Sequence, residues 1–339
     1  MSVGLEPPLF ATLRTMWLVG TVAITALAIA AAALLGPHGE DRGGTTLALA
    51  LFVGTSVHVA STGWFFILPE VRSHARRNPG RFLLAPPALI GIAAACAALA
   101  SPAQLRWVLL GFLGWQFAHF HRQNLGLAAL AARAERAGPL TRLERLALDL
   151  AAAGGVAGLL LQPDLLTLAA DVHLPWAERV AFAVFATGVG AGLVALTRRE
   201  VRPAKFVAMY LTALLFFAPV FCFDSSFPAV AGLTVAHGYQ YLMLMALVSV
   251  APRRGSLRDS GPALLSAIAL GGGLVLAVVS HLHDSPVAAE RALYGAFLGV
   301  VMAHFVLDAA LWRLREEFPR RLLGEALPYL VRPDQPRRI

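Results

Sequence analysis

The chain has 339 residues, 58% of them hydrophobic and only 14% charged, with a mean hydropathy of +0.67. That balance excludes an ordinary soluble domain, and because apolar runs recur along the whole length it defines an integral membrane protein. The net charge of +8 and isoelectric point near 10.4 do not indicate nucleic acid, because the basic residues, nearly all arginine, fall in short segments between apolar runs and so report topology.

In chain order, apolar windows long enough to cross a hydrocarbon core of about 30 Å as a helix lie near residues 14–36, 44–68, 83–100, 105–131, 146–168, 177–197, 203–222, 227–250, 261–280 and 290–314. The expected fold is all-α: a polytopic integral membrane helix bundle of about ten transmembrane helices. It fills 1–314 as a single domain, and a basic tail follows at 315–339. The first run has no small-residue cleavage site and further spans follow it, so it reads as a retained helix. PEVRSHARRNPGR, RAERAGPLTRLER, TRREVRPAK, APRRGSLRDS and the tail are arginine-rich, whereas GPHGEDRGG, SPAQLR, the 169–180 loop, CFDSSFP and HLHDSPVAAER carry one arginine or none. This alternation places both termini in the cytoplasm of a bacterial-type inner or plasma membrane. In the tail, Phe318, Leu322, Leu323, Leu327, Tyr329 and Leu330 alternate with arginines. Such a pattern suits an amphipathic helix on an anionic leaflet or a solvated extension. Cys96 and Cys222 lie within spans without partner spacing and read as packing residues.

The ten histidines form two groups. His38, His74, His173, His281 and His283 lie in loops or at their edges, and only HLHD (281–284) has a ligand-like look. His58, His119, His121, His237 and His304 lie deep inside spans. Counted from the outer end of each helix, His58, His119 and His304 follow about 14 residues and His237 about 10, so their depths agree within roughly 6 Å. Ionisable groups at that depth are costly in lipid and mark paired or functional positions.

Imidazole binds iron, zinc and copper while neutral, so a layer of histidines needs no buried counter-charge until a metal arrives. Their neighbours share helix faces with them: Gln240 and Tyr241 follow His237 by three and four residues, Asp308 follows His304 by four, and Gln116 and Gln123 flank His119 at −3 and +4. His121 points roughly 160° away from His119 around the helix, so His119 is the expected ligand of the two. Metal ligation is therefore assigned to His58, His119, His237 and His304, with His121, Gln116, Gln123 and Gln240 around them. Asp308, Tyr241 and Arg122 are the candidate catalytic groups. Arg122, about two-thirds of the way across the membrane, needs an acid, and Asp308 or Asp149 is the expected buried partner. Ser56, Thr55, Ser61 and Thr62 surround His58 and are expected to bond back to carbonyls of their own helix.

The leading functional expectation is a histidine-ligated non-haem iron oxidoreductase or oxygenase. Its substrate would be lipid-soluble (a carotenoid, sterol, acyl chain or quinone), and its partners membrane lipids and an electron-donor protein. Haem held by axial histidines is an alternative. A proton-coupled transporter with an intramembrane path of histidine, Asp308 and Arg122 is another. HxxxH, HxxHH and HExxH spacings are absent, which removes the membrane desaturase, hydroxylase and zinc-protease patterns. In class, size and histidine-rich spans the chain resembles the polytopic carotenoid-cleaving membrane dioxygenases of the Brp/Blh type; no motif is shared.

Overall fold

The computed structural model describes residues 8–35, 45–162, 174–223, 226–251, 257–282 and 285–331. It is 87% helix and contains no strand among those residues. Seven helices there are long and apolar enough to cross a membrane: Pro8–Leu35, Leu47–Ile67, Gly80–Leu99, Pro175–Thr197, Ser226–Ser249, Ser260–Ser280 and Ala288–Leu311. The protein is therefore a membrane-embedded helical one. The three other apolar windows are also largely helical but fall short for visible reasons. Helix α6 (Pro102–Ala134) has the length but carries arginines and histidines, and α7 (Arg142–Leu160) begins with Arg142, Glu144 and Arg145 and holds Asp149. The run at 203–222 breaks into α9 (Ala204–Leu214) and α10 (Pro219–Cys222), because a proline inside a helix removes an amide donor and clashes with the preceding turn.

The chain divides into two compact units. In the first (1–47, 117–240 and 324–339), α7 packs on α8 (Pro175–Thr197) through glycine: a Cβ at Gly154 would strike the backbone of Phe185 and Ala181, and one at Gly188 the backbone of Ala151 and Ala147. Small residues at these points let two helix backbones touch. The start of α7 is tied down by charge. Thr141 and Glu144 form a reciprocal cap, and the fully buried Glu144 carboxylate accepts two hydrogen bonds from Arg199 Nη1 at 2.7 and 2.6 Å. Nη2 of the same guanidinium donates to the carbonyls of Ala137 and Gly138. Helix α1 (Pro8–Leu35) meets α9 through Lys205 Nζ, which donates to Thr15 Oγ1 at 2.7 Å.

The second unit (48–116 and 241–323) has seams of the same kind. Gly295 and Gly299 of α13 (Ala288–Leu311) lie against the backbone of Ala93, Leu89 and Ile90 in α5 (Ala85–Leu99). Gly272 and Gly273 of α12 (Leu257–Ser280) face Ala60 and Val57. Arg291 donates to the carbonyls of Ala97 and Ala98, satisfying the acceptors left at the end of α5.

The tail is neither a free extension nor a separate surface helix up to residue 331. It forms α14 (Glu317–Ala326) and α15 (Pro328–Val331), and Leu322, Leu323, Leu327, Tyr329 and Leu330 are buried in the protein. In the second unit the Phe318 ring stacks on His74 of α4 (Pro69–Arg77) at 3.9 Å. In the first, Tyr329 meets Phe10 at 5.7 Å. Cys96 is half-buried and Cys222 is exposed, so the packing role expected of Cys222 is not seen: α10, which ends there, is a single short turn.

Two outcomes follow from this packing. Glu144→Ala leaves the Arg199 guanidinium buried without its carboxylate and should destabilise the protein by about 3–5 kcal/mol, read as a fall in the thermal midpoint in detergent. Burial lowers the pKa of His74 from 6.5, with Arg77 and Arg81 acting in the same direction and Glu316 opposing them. A histidine held neutral in the fold contributes stability that is complete above its unfolded pKa and is lost as pH falls through the folded one. Acidification from about pH 7 to about pH 5 should therefore speed proteolysis at the α14 segment, and His74→Phe, which keeps a stacking ring but cannot titrate, should remove that pH dependence.

Candidate metal centre

The span that carries His58 is not one regular helix. It runs as α2 (Thr45–Phe52), a π turn over Val53–Val57, α3 (His58–Ser61) and a 3₁₀ segment over Thr62–Ile67. Local hydroxyls accompany these changes: Thr55 donates to Leu51 O at 2.6 Å and Ser61 to His58 O at 2.6 Å. Side-chain bonds of this kind compete with the regular ladder and bend it, and π turns inside α-helices are enriched at functional sites.

In the second unit, His58 faces the residues of α13. The rings of His58 and His304 lie 4.9 Å apart, edge to face, and each is also edge-on to Tyr241, at 5.7 and 5.4 Å. Asp308, one helical turn beyond His304, brings Oδ2 to 3.5 Å from His304 Nε2. The hydroxyl of Tyr241 donates to Asp308 Oδ1 at 2.8 Å and lies 2.8 Å from Thr62 Oγ1, which in turn is 2.7 Å from His304 Nδ1. His58, Tyr241, His304 and Asp308 are all at most 5% exposed. A core of Val59, Val301 and Phe305, with Phe112, Leu276, Phe297 and Val300 against it, flanks the group.

The first unit holds a second histidine pair. His119 of α6 and His237 of α11 (Ser226–Ser249) meet edge to face at 5.0 Å, and Phe120 stacks on His237 at 4.1 Å. Gln123 donates to the carbonyl of His237 and to Gln240 Oε1, both at 3.0 Å, and Gln240 donates to Thr25 Oγ1 at 2.7 Å. These amides fix the backbone and face of α11 that present His237.

Of the pair in HFH, His119 meets His237, while Nε2 of His121 bonds Asp149 Oδ1 at 2.7 Å. Arg122 is exposed, so the buried ion pair expected for it is corrected. It lies on the stripe Gly111, Trp115, Ala118, Arg122, Gly126, Ala129 and Arg133, which is the exposed face of α6 at helical spacing. Asp149 is engaged by His121, and Asp308 by Tyr241 and His304. Gln116 is half-buried. Thr62 departs from the expected bond to its own helix; its spacing of four from His58 is the signal that it shares that residue's face. His281 is exposed, and His38, His173 and His283 lie outside the described residues.

Among the described residues, the buried groups that could hold a metal ion are His58, His119, His237, His304 and Asp308. No protein-family model, curated protein or solved structure matches the chain.

Removing the hydroxyl at the centre of the network gives a direct check. Tyr241→Phe leaves Asp308 Oδ1 and Thr62 each short of a buried partner and should cost about 1–3 kcal/mol, measured as a lower thermal midpoint with helix content unchanged.

Proposed function

We propose that the chain is an integral membrane metalloprotein, a non-haem iron oxidoreductase or oxygenase acting on a lipid-soluble substrate in a bacterial-type inner or plasma membrane. In this reading it has about ten spans and cytoplasmic termini, and an electron-donor protein is its partner. The observation that carries the reading is that the buried groups able to hold a metal ion are four imidazoles and one carboxylate, those of His58, His119, His237, His304 and Asp308. A cation between such groups offsets the cost of placing a carboxylate among apolar helices.

The donor set fits the group. Neutral imidazoles with one carboxylate suit non-haem iron better than calcium or magnesium, which take oxygen ligands, and better than the sulfur-rich sites. His58, His119, His237, His304 and Asp308 are the groups that would hold the ion. Iron bound there would supply activation of dioxygen. The chain's own residues perform the remaining tasks: Tyr241 orients the Asp308 carboxylate through its hydroxyl, and Gln123 and Gln240 steady the turn that bears His237. The apolar side chains of Phe112, Trp115 and Phe305, with ring pairs at 6.4 and 5.8 Å, give an oily substrate a surface to lie on. A site deep within apolar spans is reached from the bilayer by apolar molecules, which sets the substrate class as a carotenoid, sterol, acyl chain or quinone.

Metal analysis and an optical spectrum of the purified protein test the proposal together. Near-stoichiometric iron without a Soret band is expected; His304→Ala and His119→Ala should each lose most of it, and His121→Ala should retain it. Iron-free protein as isolated that takes up no iron on reconstitution overturns the reading, and a Soret band replaces it with haem.

A further inference from the structure

With Asp308 as a carboxylate, the hydrogen bonds around His304 have one direction. Each hydroxyl has one hydrogen to give. Tyr241 gives its hydrogen to Asp308 Oδ1 at 2.8 Å. The 2.8 Å contact between Thr62 and Tyr241 must then use the hydrogen of Thr62. With that hydrogen committed, the 2.7 Å contact between Thr62 and His304 Nδ1 must use the hydrogen on the ring. The chain runs His304 Nδ1–H to Thr62, Thr62 to Tyr241, and Tyr241 to Asp308.

We infer that Thr62 is a positioning residue that holds His304 in its Nδ1–H tautomer and so presents the Nε2 lone pair towards Asp308 Oδ2, 3.5 Å away. A lone-pair nitrogen and a carboxylate oxygen facing each other at that distance repel unless a cation lies between them, so the tautomer prepares the pair for metal. In metal sites, a histidine's remote nitrogen donates in this way to a fixed acceptor, which sets the ring's orientation and raises its basicity. Here the acceptor is a hydroxyl whose own hydrogen is drawn towards a carboxylate two bonds further on. The same carboxylate thus serves twice: Oδ2 faces the metal position and Oδ1 terminates the chain that fixes the neighbouring imidazole.

The metal part of the inference rests on the proposed function; the tautomer part does not. Both are read on full-length protein containing ring-¹⁵N histidine, with the His304 signals assigned by their loss in His304→Ala. In metal-free wild type, His304 is expected to show a protonated Nδ1 and an unprotonated Nε2. Thr62→Val, which keeps the shape but not the hydroxyl, should give a mixture of tautomers or the Nε2–H form, and Thr62→Ser should restore the wild-type pattern. Tyr241→Phe returns the hydrogen of Thr62 to His304 and should also relax the preference, which a merely space-filling Thr62 would not do. With added Fe(II), Thr62→Val should bind about 10–100-fold more weakly than wild type, and Thr62→Ser near the wild-type level.

An Nε2–H tautomer in the wild type, the result of a chain running the other way from a protonated Asp308, overturns the inference, as does an unchanged tautomer in Thr62→Val. If wild type takes up no Fe(II) while the tautomer pattern holds, the metal reading falls and the positioning role of Thr62 stands.

Discussion

A polar hydrogen buried among apolar helices has to find its acceptor inside the protein, because neither lipid nor neighbouring aliphatic side chains can supply one. The arrangement around His304 follows from that constraint. Once a carboxylate is placed at Asp308, Tyr241 is drawn to it, Thr62 is drawn to Tyr241, and the imidazole is turned to meet Thr62. The same rule shapes the other histidine pair, where Gln123 and Gln240 pass hydrogen bonds to a backbone carbonyl and to Thr25. In both places the polar side chains form short chains that end on a definite acceptor.

Glycine supplies the complementary constraint. Backbones in contact at Gly295 and Gly299 hold α13 against α5, and those at Gly154 and Gly188 hold α7 against α8. Packing between membrane helices gains little from the hydrophobic effect and depends on how closely backbones approach. His304 and Asp308 therefore stand on a helix whose register is set by contacts one to four turns away, at positions with no side chain at all.

The chemistry of the site was more legible in the sequence than its geometry. Isolated polar residues in apolar runs are conspicuous, so His58, His119, His237, His304 and Asp308 could be selected by depth, and helical spacing linked Asp308 to His304. Rotation about a helix axis was not legible: the exposed stripe of α6 is built of glycine, alanine and tryptophan around Arg122 and Arg133, and lipid and protein core are both apolar, so no polarity contrast separates the inner face from the outer one. For that reason the sequence alone points Arg122 inward. Among the described residues, seven of the ten windows are helices long and apolar enough to cross a membrane, for a related reason. A count of apolar windows does not register that α6 and α7 carry several charges or that Pro219 divides the 203–222 run. The role of Thr62 was hidden because its two partners, Tyr241 and His304, lie 179 and 242 residues away.

The π turn at Val53–Val57 has a consequence for how this protein can vary. A π turn accommodates one more residue than the same length of α-helix, so its presence is a matter of chain length and only loosely of side-chain identity. Because the wider turn absorbs its extra residue locally, losing one residue from 53–57 would restore a regular helix and leave the residues next to it facing nearly as before, whereas a loss from a regular turn swings what precedes it by about 100°. A variant one residue shorter in that turn would therefore hold the same ligands on the same face of the span, and the turn is a place where chain length can change without re-aiming His58 and Thr62.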